Sequence, residues 1–194
     1  MPSIRTFVAI ELPSDVLDAL AAVQEKLRRG PGGAAGRWVK KEGIHLTLKF
    51  LGEVPSEKLQ AIDQAVARAC SNHPTFTLRV GSLGCFPNVR RPRVVWVGVH
   101  EETGQLAALQ KDIERELAGL GFPPEVRAFT PHLTLARVAE KASRQEVEAL
   151  GKAVSEQDLK VLAQMRVTEV SVMKSDLRPE GAFYAELFKA RLRA

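Results

Sequence analysis

The chain has 194 residues, 45% hydrophobic and 26% charged, enough for one sizeable core and unlike a disordered segment or a stapled mini-protein. A formal charge of +5 leans towards polyanionic partners such as nucleic acid or nucleotides. Cys70 and Cys85 stand in no metal-ligand spacing, no apolar run reaches about 18 residues, and the first residues lack the apolar core of a secretory signal. We therefore expect a cytoplasmic protein with no membrane span.

In chain order, Phe7 to Leu12 reads as a strand closed by Pro13. Ser14 then caps a helix with Val16, Leu20, Val23 and Leu27 at helical spacing. The run Gly30 to Gly36 lacks the Gly-Lys-Ser/Thr ending of a phosphate-binding loop and reads as a plain connection. Trp38-Val39 leads into a strand from Gly43 to Gly52. Pro55-Ser56 opens a second helix bearing Leu59, Ile62 and Val66. Phe76 to Leu83 alternates as a strand, followed by a turn and the basic loop Arg90-Arg91-Pro92-Arg93. Val94 to Val99 is nearly all apolar, as expected of a central strand. Thr103 caps a third helix with Leu106, Leu109, Ile113 and Leu117 on one stripe. Thr130 to Arg137 is a further strand, and Ser143 with Glu146 forms a capping box for a fourth helix. Val167 to Met173 and Phe183 to Phe188 close the chain as strands about a turn at 178–181.

One word occurs twice: His45-Leu46-Thr47-Leu48 and His132-Leu133-Thr134-Leu135, at an offset of 87 residues (132 less 45). At the same offset Phe7 falls on Val94, Ser56 on Ser143 and Val80 on Val167. Each half reads strand, helix, His-strand, helix, strand. An internal duplication accounts for this, and we expect residues 1–194 to form a single bilobal domain with a pseudo-two-fold axis.

Strand side chains alternate, so each copy offers its His and Thr to one face and its two Leu to the other. Equivalent strands across a two-fold would bring both imidazoles to one cleft. His73 and His100 lie outside the repeat and read as structural or surface residues. No third metal ligand accompanies the pair at a recognisable spacing. Two imidazoles suit phosphodiester chemistry: near pH 7 one takes a proton from water while the other gives one to the departing oxygen. The threonine hydroxyls are placed to donate to non-bridging oxygens. No metal or other cofactor is required. A near-symmetric pair works in either direction, so the residues alone leave the two roles open.

Paired His-x-Thr-x motifs in a duplicated frame resemble the 2H phosphoesterase superfamily. The stretch Arg5 to Pro13, Trp38-Val39, His45 to Gly52, and Phe86-Pro87 with the basic loop to Trp96 resemble its RNA 2′,3′-cyclic phosphodiesterase (2′-5′ RNA ligase-like) branch. The resemblance implies a bilobal α+β fold, with two antiparallel sheets lining a central cleft and helices on the outer faces. It also implies hydrolysis of RNA 2′,3′-cyclic phosphate ends, or of small cyclic nucleotides, to 2′-phosphomonoesters. By the same resemblance His45 is the proton donor, His132 the proton acceptor, and Thr47 and Thr134 hold the phosphoryl oxygens. Arg137 stands where the family often carries a basic residue and is a candidate phosphate-binding residue; strict alternation from His132 puts it on the opposite face, so its long side chain or a strand end must bring it round. Arg90, Arg91 and Arg93 are a candidate contact for the RNA backbone, while Phe7 and Phe50 are expected in the core, with stacking on a base as the alternative. A monomer is expected. The alternatives are 2′-5′ RNA ligation with the same groups and a nucleotide- or RNA-binding module without turnover.

Overall fold

A computed structural model describes residues 3–178 and 181–194. Among these, four helices and nine strands alternate: β1 (Ser3–Ile10), α1 (Ser14–Arg29), β2 (Gly36–Trp38), β3 (Leu46–Pro55), α2 (Leu59–Ser71), β4 (Phe76–Phe86), β5 (Val94–His100), α3 (Gln105–Ala118), β6 (His132–Val138), α4 (Arg144–Ser155), β7 (Ala163–Val167), β8 (Glu169–Arg178) and β9 (Gly181–Arg191). The fold is α+β, and its strands run in the order β7-β4-β5-β6-β3-β1-β8-β9, with β2 against β6. The two antiparallel halves of this path meet at one registered pair, Leu46 opposite Leu133. These are equivalent residues of the two tetrapeptides.

Register follows the same offset elsewhere. Phe7 opposes Phe50 and Val94 opposes Arg137; Ala9 opposes Thr47 and Trp96 opposes Thr134. Phe7 also faces Met173, as Val94 faces Phe86. Leu78 opposes Met165, a second contact between equivalent positions. The expected Val167–Met173 strand is divided at Thr168, because β7 pairs with β4 whereas β8 pairs with β1. The Thr168 carbonyl thus leaves both ladders and accepts from the Leu192 N–H at 2.8 Å. Part of the expected turn at 178–181 lies outside the described residues.

The strand leucines and the helix stripes share one core cluster: Leu46, Leu48, Leu133 and Leu135 join Leu20, Ile62, Leu109 and Leu150. Full burial of each leucine stabilises by roughly 2 kcal/mol, which holds the motif strands against the helices and leaves their other face free. Local signals differ at three helix starts. No side-chain cap bonds the start of α1, where Pro13 rather than Ser14 holds the capping position. Ser56 belongs to a 3₁₀ turn ahead of α2, and Gly104, at φ 80°, precedes α3, where the Glu101 carboxylate accepts from both the Thr103 hydroxyl and the Leu106 N–H. The Ser143–Glu146 box is formed at both ends. On α1 the polar Gln24, not Val23, completes the buried face.

Candidate active site

His132 opens β6 and His45 directly precedes β3, so both imidazoles stand beside the Leu46–Leu133 junction. A cavity of about 580 Å³ is lined by His45, Thr47, His132, Thr134 and Arg137, with Arg5, Phe7 and Tyr184 among its walls. Among the described residues no carboxylate lines it. Two guanidiniums without a compensating acid make this an anion site in its own electrostatics.

Each ring is held on both sides. The His132 Nδ1 lies 2.7 Å from the Thr130 carbonyl oxygen, which can only accept. Nδ1 therefore carries the proton and Nε2 is the free nitrogen. Phe86 meets this ring edge-on at 4.9 Å. His45 is bonded to the Gly43 backbone, two residues earlier, just as His132 is to Thr130. Phe7 stacks on it at 4.7 Å and Tyr184 meets it edge-on at 4.9 Å. This apolar enclosure pushes the His45 imidazole down from 6.5 to about 4, against the smaller upward pull of the Gly43 bond. Burial likewise raises the Tyr184 phenol, opposed by the charges of Arg137 and Arg5.

Arg137 reaches the cleft because alternation is interrupted. In β6, Val95 opposes Ala136 but Trp96 opposes Thr134, leaving Leu135 as an inserted residue. Such a bulge resets the phase of the strand. Leu135 and Ala136 are both buried, and Arg137 falls on the face of His132 and Thr134. The same bulge at Leu48 buries Lys49 and turns Phe50 outward. Phe50 is therefore 66% exposed at the mouth of the cleft rather than in the core, whereas Phe7 is buried as expected.

A bulge frees backbone groups that must be paired elsewhere. Gln24 on α1 donates to the carbonyls of Leu135 (2.8 Å) and Val39 (2.9 Å). Gln110 on α3 donates to the Leu48 carbonyl at 3.4 Å. Each helix thus supports the motif strand of the other half. Beneath Phe50, Lys49 is paired with Glu114 inside the protein and also donates to the Pro123 carbonyl at 2.8 Å. That pair ties the 120–125 segment to β3.

Sequence reasoning missed Arg5, Tyr184, Gln24 and Gln110. For Gln24 a signal existed, a polar residue one step off an apolar stripe. For Tyr184 only the tertiary path of β9 brings it to β3. His73 is buried and bonded to Asp112 at 2.7 Å, and His100 lies 3.1 Å from the Ser82 hydroxyl, both away from the cleft. Among the described residues no group of three or more His, Cys, Asp and Glu gathers in a metal-binding arrangement, and no helix is long and apolar enough to cross a membrane.

The expected two sheets are the halves of one continuous antiparallel sheet, joined at Leu46–Leu133, and this α+β cleft with its paired His and Thr defines the class of protein. The sequence model of the 2′-5′ RNA ligase superfamily matches residues 13–179, and the chain belongs to that superfamily. It is 34% identical over 189 residues to an RNA 2′,3′-cyclic phosphodiesterase of Methanothermobacter thermautotrophicus, covering 97% of this chain and 99% of the other. The crystal structure of TT0787 of Thermus thermophilus superposes with a TM-score of 0.80 at 28% identity, covering 98% of each chain. Escherichia coli LigT complexed with 3′-AMP superposes with a TM-score of 0.75 at 27% identity, covering 100% of each.

Proposed function

We propose that this chain hydrolyses RNA 2′,3′-cyclic phosphate ends to 2′-phosphomonoesters, with His45 and His132 as acid and base. The observation that carries the reading is the convergence of two identical words on one carboxylate-free cavity. The activity named for the Methanothermobacter relative and the 3′-AMP held by the E. coli protein support it.

In the proposed step the His132 Nε2 takes a proton from water as its oxygen bonds to phosphorus. The P–O3′ bond breaks and His45 gives its proton to O3′, which leaves as a hydroxyl. One water is consumed and nothing is oxidised or reduced. Thr47 and Thr134 donate to the non-bridging oxygens, where charge accumulates, and Arg137 opposes that charge. Phe50 offers its exposed face to a base. Because burial holds His45 near 4 in the empty cleft, it gains its proton with the substrate. The anionic phosphodiester favours the imidazolium, and the Phe7 face stabilises it further. The swapped roles are favoured by one observation, the neutrality of His45 at pH 7 before substrate arrives.

The test is to incubate the protein with a cyclic-ended oligonucleotide in excess EDTA and follow phosphorus by NMR. A 2′-phosphate product that disappears in His45→Ala and His132→Ala, with folding retained, is expected. Full activity in both variants, or turnover only with added metal, overturns the reading. We further propose one bilobal 1–194 domain arising by duplication, and a monomer. A single calorimetric transition and a light-scattering mass near 21.3 kDa are expected; two transitions or twice that mass contradict these proposals.

A further inference from the structure

Beside the cleft, a cavity of about 850 Å³ runs between the loop after β4 and the exposed side of α4. Arg90, Arg91 and Arg93 line it from the loop, Arg144 and Lys152 from the helix, and Glu148 is its one acid. Glu148 is already committed to Arg144 at 2.7 Å. The three loop arginines are exposed and, among the described residues, none makes an ion pair. The groove therefore carries a surplus of uncompensated positive charge.

The loop that presents these arginines is built rather than loose. The Asn88 side chain accepts from the backbone N–H of Arg90 (3.0 Å) and Arg91 (3.1 Å). The Arg93 N–H donates to Phe86 at 2.7 Å, and the Arg93 carbonyl accepts from Val138 at 2.9 Å. Pro92 is buried. A Cβ at Gly151 of α4 would lie 1.9 Å from the Val89 carbonyl oxygen, so the loop backbone rests directly on the helix. Little backbone freedom remains to be lost when an anion binds.

The groove is also continuous with the cleft. Arg93 lines both this cavity and a neighbouring one of about 820 Å³, which shares Thr47, Phe50 and His132 with the catalytic face. A 2′,3′-cyclic phosphate closes the 3′ end of a strand. The rest of the strand leaves the terminal nucleotide on its 5′ side, as a row of phosphodiesters about one negative charge each. The connecting cavity also holds Lys49 paired with Glu114, and Arg127 beside Glu125, so from the mouth at Phe50 the path gains its surplus positive charge only at Arg93, which leads to Arg90 and Arg91.

We infer that the groove between the Asn88–Arg93 loop and α4 is a second, backbone-binding subsite that takes the phosphodiesters upstream of the reacting end. This inference rests on the proposed phosphodiesterase reading and names its substrate class: a single-stranded oligonucleotide rather than a free cyclic nucleotide. The contacts are to phosphate, so they add affinity across sequences without selecting bases.

The test compares the wild type with Arg90→Glu/Arg91→Glu on two substrates, a short single-stranded RNA with a cyclic end and a 2′,3′-cyclic mononucleotide. Lys111→Glu/Lys160→Glu, two exposed lysines that line none of these cavities, controls for net charge. The loop variant should raise KM for the RNA about tenfold at low salt and flatten the logarithmic salt dependence of RNA binding by about 1.4, or about 0.7 per phosphate contact. Its kinetics on the mononucleotide should match wild type. An unchanged KM for the RNA, or an equal rise in the lysine control, overturns the inference. If the wild type turns over neither substrate, the failure belongs to the proposed reaction. The groove is then judged by fluorescence anisotropy with the same RNA and with polyglutamate. Weaker RNA binding by the loop variant supports the subsite; equal RNA affinity, with only polyglutamate binding lost, overturns it.

Discussion

Acid should destabilise this protein through His45 more than through an ordinary surface histidine. The ring is enclosed by Phe7 and Tyr184, and its folded-state value lies at about 4 against 6.5 in an open chain. The unfolded chain therefore binds the proton more readily than the folded one. Stability from this group is complete above about pH 6.5 and is lost as pH falls towards 4. At about 1.4 kcal/mol per pH unit, the drop is worth about 3 kcal/mol between pH 7 and pH 4. The assay is urea unfolding of wild type and His45→Gln at both pH values, since every other titrating group is common to the two proteins. Wild type should lose about 3 kcal/mol more than the variant. An NMR titration of the His45 ring gives the same quantity directly, and its midpoint should rise when a 2′-phosphorylated nucleotide binds. Equal losses in the two proteins, or a ligand-free midpoint at or above 6.5, would refute the argument from burial.

Lys49→Met leaves the Glu114 carboxylate buried without its cation and should cost about 3–5 kcal/mol by chemical denaturation; Lys49→Met/Glu114→Leu should recover most of that, and an additive double loss would show that the pair is not the cause. Gln24→Leu strands the Val39 carbonyl and weakens the bulge, with an expected loss of about 1–3 kcal/mol and a lower kcat; a variant of wild-type stability would show that Gln24 holds nothing in place. Thr47→Val and Thr134→Val keep the strand shape but remove one donor each, and kcat/KM for a cyclic-ended RNA should fall about a hundredfold in either; wild-type rates would remove the hydroxyls from the proposed mechanism.

How much could be read before the fold was known depended on how local the cause was. His45, Thr47, His132 and Thr134 were legible because a two-residue period and a repeated word need only adjacent positions. The inner place of Val94 to Val99 followed from its nearly continuous apolar run, and the start of α4 from the Ser143–Glu146 box. The route by which Arg137 reaches the cleft face and the exposure of Phe50 escaped period-two counting for one shared reason. Period-two counting fails at the bulges of Leu135 and Leu48, and those bulges are supported by glutamines on α1 and α3, far away in sequence. The caps at Ser14 and Thr103 failed differently: a short polar side chain near a helix start has competing local partners, and Thr103 is taken by Glu101. Tyr184 belongs to the site only because β9 pairs with β8, which brings the hairpin beside His45.

The central claim is that His45 delivers the proton to the departing O3′ while His132 activates water. A 2′,3′-cyclic substrate with sulfur in the 3′ bridging position tests it most directly, because a thiolate leaves without a proton. On that substrate His45→Ala should recover most of the wild-type rate, and His132→Ala should stay as slow as it is on the oxygen substrate. Recovery by His132→Ala with none by His45→Ala would contradict the assignment and establish the reverse one.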